Sequence, residues 1–167
     1  MKKIIQLLIM LVLGTSIGLY AQNSKPEKKA MPQSKNAPKF DPARNPEKDL
    51  ADAVEKAKVS GKYILLDVGG EWCPWCKRLD VFLYDNEELH NMLMNDFEVV
   101  KVNMSPENKN EQFLSKYPKI PGYPHFFILD KNGKLIQPQD TSALEDGKSY
   151  SLDKLKAFLI LWTPVKK

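Results

Sequence analysis

A chain of 167 residues with 43% hydrophobic side chains is long enough for one packed domain and some additional tail. Its formal charge of +4 belongs to the N-terminal end: Lys2 and Lys3 open the chain, and residues 22–46 carry six basic groups against two acidic ones. Residues 47–167 then hold 17 basic and 19 acidic groups, a balance of −2, which gives no support to a basic groove for nucleic-acid phosphates.

Residues 1–21 read as an export signal. A charged start is followed by an apolar stretch from Ile4 to Leu13, broken only by Gln6, and Leu19-Tyr20-Ala21 offers a cleavage site before Gln22. An uncleaved membrane anchor is the less favoured alternative, because the apolar run is short and breaks at Gly14. Either way the remainder is expected outside the cytoplasm, periplasmic or secreted. Residues 22–45 contain Pro26, Pro32, Pro38, Pro42 and a string of lysines, with Phe40 the one large apolar side chain beyond Met31. Such a composition reads as a flexible linker.

Order is expected to begin at Asn45, a good helix cap, with Pro46 in the first helical position and Leu50, Ala53, Val54 and Ala57 at helical spacing up to Gly61. Tyr63 to Val68 is a short apolar run suited to a strand buried on both faces. A helix follows Cys73, a second is capped by Asn86, and Phe97 to Met104 forms the next strand. Glu107 to Tyr117 is a polar helix. Phe126–Leu129 and Leu135–Gln137 are joined by Asp130-Lys131-Asn132-Gly133-Lys134, a hairpin signal. Ser151 caps a last helix with Leu152, Leu155, Phe158, Leu159 and Trp162 on one face, ended by Pro164. Strands alternating with helices and closing on a hairpin imply an α/β domain over 46–163, with a mixed sheet covered by helices and a short tail at 164–167.

Cys73 and Cys76 are the chain's two cysteines. A bridge across so short a loop removes little unfolded-state entropy, so reactivity explains the spacing better than stapling does. At a strand-to-helix junction the amides and dipole of the helix N-terminus stabilise a thiolate. Cys73 is thus expected as an exposed nucleophile, and Cys76, one turn in, as the shielded resolving thiol. Zinc would need further ligands, and His90 and His125 have no matching spacing, so no metal and no cofactor beyond the cysteine pair is expected. His125 reads as a packed strand residue and His90 as solvent-facing.

The segment Glu71-Trp72-Cys73-Pro74-Trp75-Cys76-Lys77 resembles the active-site segment of the thioredoxin family, and other residues extend the likeness over about 46–163. Asp67, six residues before Cys73, is similar to the family's buried aspartate; Lys101 in Val100-Lys101-Val102-Asn103 to its strand lysine; Pro124 in Gly122-Tyr123-Pro124-His125-Phe126 to its cis-proline. The resemblance implies a thioredoxin-like fold with a central mixed sheet of four, or five, strands flanked by helices. Asp67 would exchange a proton with Cys76, and Lys101 would tune Asp67 electrostatically or else reach solvent from the strand. Trp72, Trp75, Tyr123 and Pro124 would border a site for extended substrate segments, with a backbone group beside Pro124 free to pair with them.

The dipeptide Pro74-Trp75 departs from the family's common Gly-Pro, and no strand is evident before Lys62. This layout is closer to short exported proteins related to the C-terminal domain of thiol–disulfide interchange proteins. The expected function is an exported thiol–disulfide oxidoreductase, a reductase or interchange protein in preference to an oxidising disulfide donor. The expected partners are protein thiols and disulfides and a redox partner, membrane-bound in one version; a monomer is expected. A non-catalytic peptide-binding module on the same fold and a metal carrier using the two thiols are the alternatives.

Overall fold

The computed structural model describes residues 33–165. The signal segment, the first part of the linker reading (22–32) and the last two residues of the tail lie outside this range. Helix α1 (Pro46–Ser60) starts where Asn45 accepts the Lys48 N–H, and its last turn is closed by the Gly61 N–H on the Ala57 carbonyl. It leads directly into β1 (Tyr63–Gly69). Next come α2 (Pro74–Asp85), α3 (Glu87–Asp96) and β2 (Phe97–Asn103), with Asn86 capping α3 through the Leu89 N–H. A single turn, α4 (Glu111–Leu114), precedes β3 (His125–Leu129) and β4 (Leu135–Asp140). A 3-10 turn (Thr141–Leu144) and a two-residue hairpin, β5 (Glu145–Asp146) and β6 (Ser149–Tyr150), lead to α5 (Leu152–Leu161), capped by Ser151.

The central sheet has four strands in the order β2-β1-β3-β4. β1 runs parallel to β2 and antiparallel to β3, and β3 pairs antiparallel with β4, so the sheet is mixed as expected. The small β5–β6 hairpin forms a separate sheet instead of a fifth strand. Side chains alternate across the sheet, giving two cores. Ile64, Leu66, Val68, Val100, Val102, Phe127 and Leu129 pack with Ala53 and Ala57 of α1 and Phe113 of α4. Leu65, Phe126 and Ile128 face the other way, onto Leu79 and Leu83 of α2, Leu89 and Leu93 of α3, and Leu155 and Leu159 of α5. Each fully buried leucine contributes about 1.5–3 kcal/mol over its exposed state.

The same parity decides where the polar strand residues go. Asp67 has the parity of Leu65, so it belongs to the α2 side of β1, and its register partner on β2 is Lys101. Both are ionisable, and both are buried.

Residues 33–45 differ from the linker expectation, because they pack on the domain. The Ser34 hydroxyl donates to Asp85 Oδ1 at 2.6 Å, the Asn108 side-chain amide donates to the Pro42 carbonyl at 2.9 Å, and Phe40 is only 2% exposed. A single aromatic side chain with a cavity to fill, and polar neighbours to hold the backbone, is enough to anchor a Pro-rich stretch whose unfolded entropy is already low. Among the described residues no helix is long and apolar enough to cross a membrane.

Candidate active site

Cys73 is the N-cap of α2 and Pro74 its first helical residue, so the cysteine pair lies where β1 runs into the helix. Cys73 Sγ accepts the Cys76 N–H at 3.2 Å, the place where a thiolate is stabilised by an otherwise unpaired helix amide. The two cysteines are joined as a disulfide, with Cα atoms 5.3 Å apart.

The expected exposure of Cys73 is corrected by the structure. Cys73 is 3% exposed and Cys76 1%, because both pack with Phe40 and with the flanking rings of Trp75 and Tyr123. The Tyr123 carbonyl oxygen lies 3.6 Å from the Cys73 sulfur. The Tyr123–Pro124 peptide bond is cis. The Pro124 carbonyl accepts the Thr141 hydroxyl at 2.5 Å, which fixes the loop against the 3-10 turn.

The rim is asymmetric. Trp72 is 53% exposed, meets Tyr123 edge to face at 6.1 Å, and donates its indole N–H to the Met104 carbonyl at 2.7 Å. Trp75 is half-buried: its ring lies against Tyr150 at 5.5 Å with the Arg78 guanidinium over it at 4.6 Å. Of the two tryptophans, Trp72 therefore presents the larger apolar surface. Two glycines leave room for this packing. A Cβ on Gly69 would stand 2.6 Å from Cys76 Sγ and 3.0 Å from Phe40 Cζ, and one on Gly70 would strike the Trp72 indole and come within 2.7 Å of the Met104 carbonyl oxygen.

Behind the disulfide, Lys101 settles the choice between strand-edge solvent and the interior. Its ammonium is buried, 2.8 Å from Asp67 Oδ2, and also pairs with Asp80 of α2. Asp67 Oδ1 is buried with no hydrogen-bond partner among the described residues, leaving a free acceptor. Burial raises the Asp80 carboxyl to about 7; Lys101 pulls it down, but Asp67, sharing the same ammonium, pushes it up again. Burial by itself would lower the Lys101 ammonium, and the two carboxylates outweigh it and raise it. Burial also raises the Tyr84 hydroxyl, which lies beside this group.

Asp80 and Phe40 were not among the residues expected from sequence. Asp80 is one turn beyond Cys76, at the i,i+4 spacing that shares a helix face, and that spacing was the available signal. For Phe40 it was the isolation of one large aromatic in a Pro/Lys-rich segment. His125 is buried against Phe127 at 4.8 Å, as expected of a packed strand residue, and burial lowers its pKa. His90, expected to face solvent, instead lies partly buried against Tyr84 at 5.7 Å. Among the described residues no group of three or more His, Cys, Asp or Glu side chains is placed to hold a metal ion.

The sequence profile of the thioredoxin-like family matches residues 45–131. The chain belongs to the thioredoxin-like family. The thiol:disulfide interchange protein DsbD of Actinobacillus pleuropneumoniae is 30% identical to it over 98 residues, 58% of this chain and 17% of DsbD. The disulfide bond reductase DsbH of Chlamydia pneumoniae is 32% identical over 95 residues, 52% of this chain and 57% of DsbH. The chain thus spans about a sixth of the interchange protein and little more than half of the reductase. In fold it is similar to the crystal structure of a disulphide isomerase from Xylella fastidiosa, with a TM-score of 0.66 and 24% identity over 77% of this chain and 98% of that one. A thioredoxin from Thermus thermophilus aligns at a TM-score of 0.51 and 19% identity, over 66% and 81% of the two chains.

Proposed function

We propose that this thioredoxin-like protein is an exported thiol–disulfide oxidoreductase that reduces or interchanges protein disulfides through Cys73 and Cys76. The observation that carries this reading is the Cys76 N–H aimed at Cys73 Sγ at 3.2 Å, at the N-terminus of α2. That amide and the helix dipole favour a Cys73 thiolate and make Cys73 the nucleophile. The names of the relatives, interchange protein and disulfide bond reductase, support the same direction.

In the reducing direction the Cys73 thiolate attacks one sulfur of a substrate disulfide. The substrate S–S bond breaks, a mixed disulfide forms on Cys73, and the first substrate thiolate leaves and takes a proton from solvent. Cys76 then loses its proton, attacks Cys73 Sγ and expels the second substrate thiolate. Two electrons have passed to the substrate and the Cys73–Cys76 disulfide has formed. Asp67, with its free buried oxygen, is the group we assign to the Cys76 proton, and Lys101 is its electrostatic partner. We assign the contact surface for an extended substrate to Trp72 and Tyr123, with Pro124 buried beneath them and Trp75 contributing the edge left free by Tyr150. A dithiol redox partner would regenerate the reduced pair.

The test is insulin reduction with dithiothreitol as electron source, beside oxidation of a reduced test protein. Activity is expected in the wild type and absent in Cys73→Ser. Cys76→Ser should accumulate a mixed disulfide on Cys73. A wild-type protein inactive in both directions overturns the reading.

A further inference from the structure

The segment ahead of α1 reaches the redox pair from behind. Phe40 packs with both Cys73 and Cys76, and its Cζ and the Cys76 sulfur both occupy the space that a Cβ on Gly69 would need. The Lys101 ammonium lies 4.1 Å from the centroid of the same ring. One aromatic side chain therefore touches the disulfide and the cation that Asp67 and Asp80 share. Its backbone is tied to the motif: the Phe40 N–H donates to Glu71 Oε1 at 3.0 Å, and the Gln33 amide donates to Glu71 Oε2 at 2.8 Å.

We infer that Phe40 is a positioning residue of the redox centre: its ring keeps water from the rear of the cysteine pair and from the Lys101 group, and Glu71 holds the ring in place. This inference rests on the oxidoreductase reading above. A hydrocarbon ring against sulfur disfavours the thiolate, and a dry interior keeps the charges of Asp67, Asp80 and Lys101 strongly coupled. Phe40 thus acts on the thiols through solvent exclusion, while taking no part in the exchange itself. The ionisable groups facing this region are Asp67 on β1, Glu71 in the turn, Asp80 and Tyr84 on α2, Lys101 on β2, and Tyr123 in the loop before β3.

The experiment is Phe40→Ala and Phe40→Leu in the full chain, read in two ways. The pH profile of cysteine alkylation in the reduced protein reports thiolate formation. Equilibration with glutathione reports the disulfide's stability. Phe40→Ala should move the alkylation profile to lower pH and shift the glutathione equilibrium toward the dithiol by about tenfold, or about 30 mV. Phe40→Leu, which keeps an apolar side chain there, should stay near the wild type. If Phe40→Ala does not fold, Phe40→Val leaves a smaller gap and should show the same shifts in reduced size. A folded Ala or Val variant with the wild-type profile and equilibrium, whatever its melting temperature, overturns the inference. A wild-type pair that does not exchange with glutathione at all counts against the oxidoreductase reading instead, and the alkylation profile then still tests Phe40.

Discussion

Lys101 reaches Asp67 at 2.8 Å across a parallel strand pair in which the two residues are also register partners, so the ion pair is fixed by backbone hydrogen bonding. The same ammonium then serves Asp80 on the helix that carries the cysteines. Replacing it with an apolar isostere leaves two carboxyl groups buried without a cation. Lys101→Met is expected to lower unfolding stability by about 3–5 kcal/mol at neutral pH, measured by urea denaturation. The loss should shrink at pH 5, where the carboxyls can take up protons. A loss of equal size at both pH values contradicts this account.

Asp80 makes the fold itself pH-dependent. Its carboxyl titrates at about 7 in the folded chain, against about 3.9 for a free aspartate. The folded state therefore binds the more protons between about pH 4 and 7, so the stability contributed by this group is full below about pH 4. It is lost as pH rises through 7. The urea midpoint should fall between pH 5 and pH 7.5 in the wild type, and Asp80→Asn should flatten that slope. An unchanged slope in Asp80→Asn would assign the titration elsewhere.

Gly69 leaves no space for a side chain. Gly69→Ala sets a methyl group 2.6 Å from Cys76 Sγ, so the cysteine or Phe40 must move. A cost of about 1–3 kcal/mol is expected from overpacking, together with faster reduction of the disulfide by dithiothreitol. Stopped-flow tryptophan fluorescence is suited to the rate, since Trp72 and Trp75 flank the pair.

Substitution of Trp72 tests whether recognition and chemistry separate at this site. It is more than half exposed, so Trp72→Ala should change stability by under about 1 kcal/mol. Its ring is the apolar surface offered beside Cys73, so KM for insulin should rise while the rate with a small disulfide stays within about twofold. A drop of equal size for both substrates would place Trp72 in positioning the cysteines.

Thr141→Val removes the donor to the carbonyl of the buried cis-proline, Pro124. About 1–3 kcal/mol should be lost, the cost of an unsatisfied buried acceptor, with insulin turnover falling further than Tm alone explains.

Much of this was readable in the chain because each element carries local chemistry. Asn45, Asn86 and Ser151 each cap a helix where their type and position said they would, and α1 runs into β1 without an intervening strand. Alternation along Ile64-Leu65-Leu66-Asp67-Val68 places Asp67 beside Leu65 in parity, although the partner that makes its burial tolerable, Lys101, is over thirty residues away. Asp80 was hidden for a different reason: a charge on an amphipathic helix ordinarily marks the wet face, and only the buried cation of Lys101 on β2 reverses that. Phe40 was hidden by averaging, since a window rich in proline and lysine reads as unstructured even when one ring in it finds a cavity. The β5–β6 hairpin, two residues a strand, is too short to leave a pattern.

The family profile begins at residue 45, five positions after Phe40. A chain begun at residue 45 would keep every described strand, both cysteines and the buried ion group, yet lose the ring that backs the sulfurs. The environment of the redox pair is therefore finished by a side chain ahead of the stretch that the family profile matches, so a cut drawn from the profile would pass through the packing of the site itself.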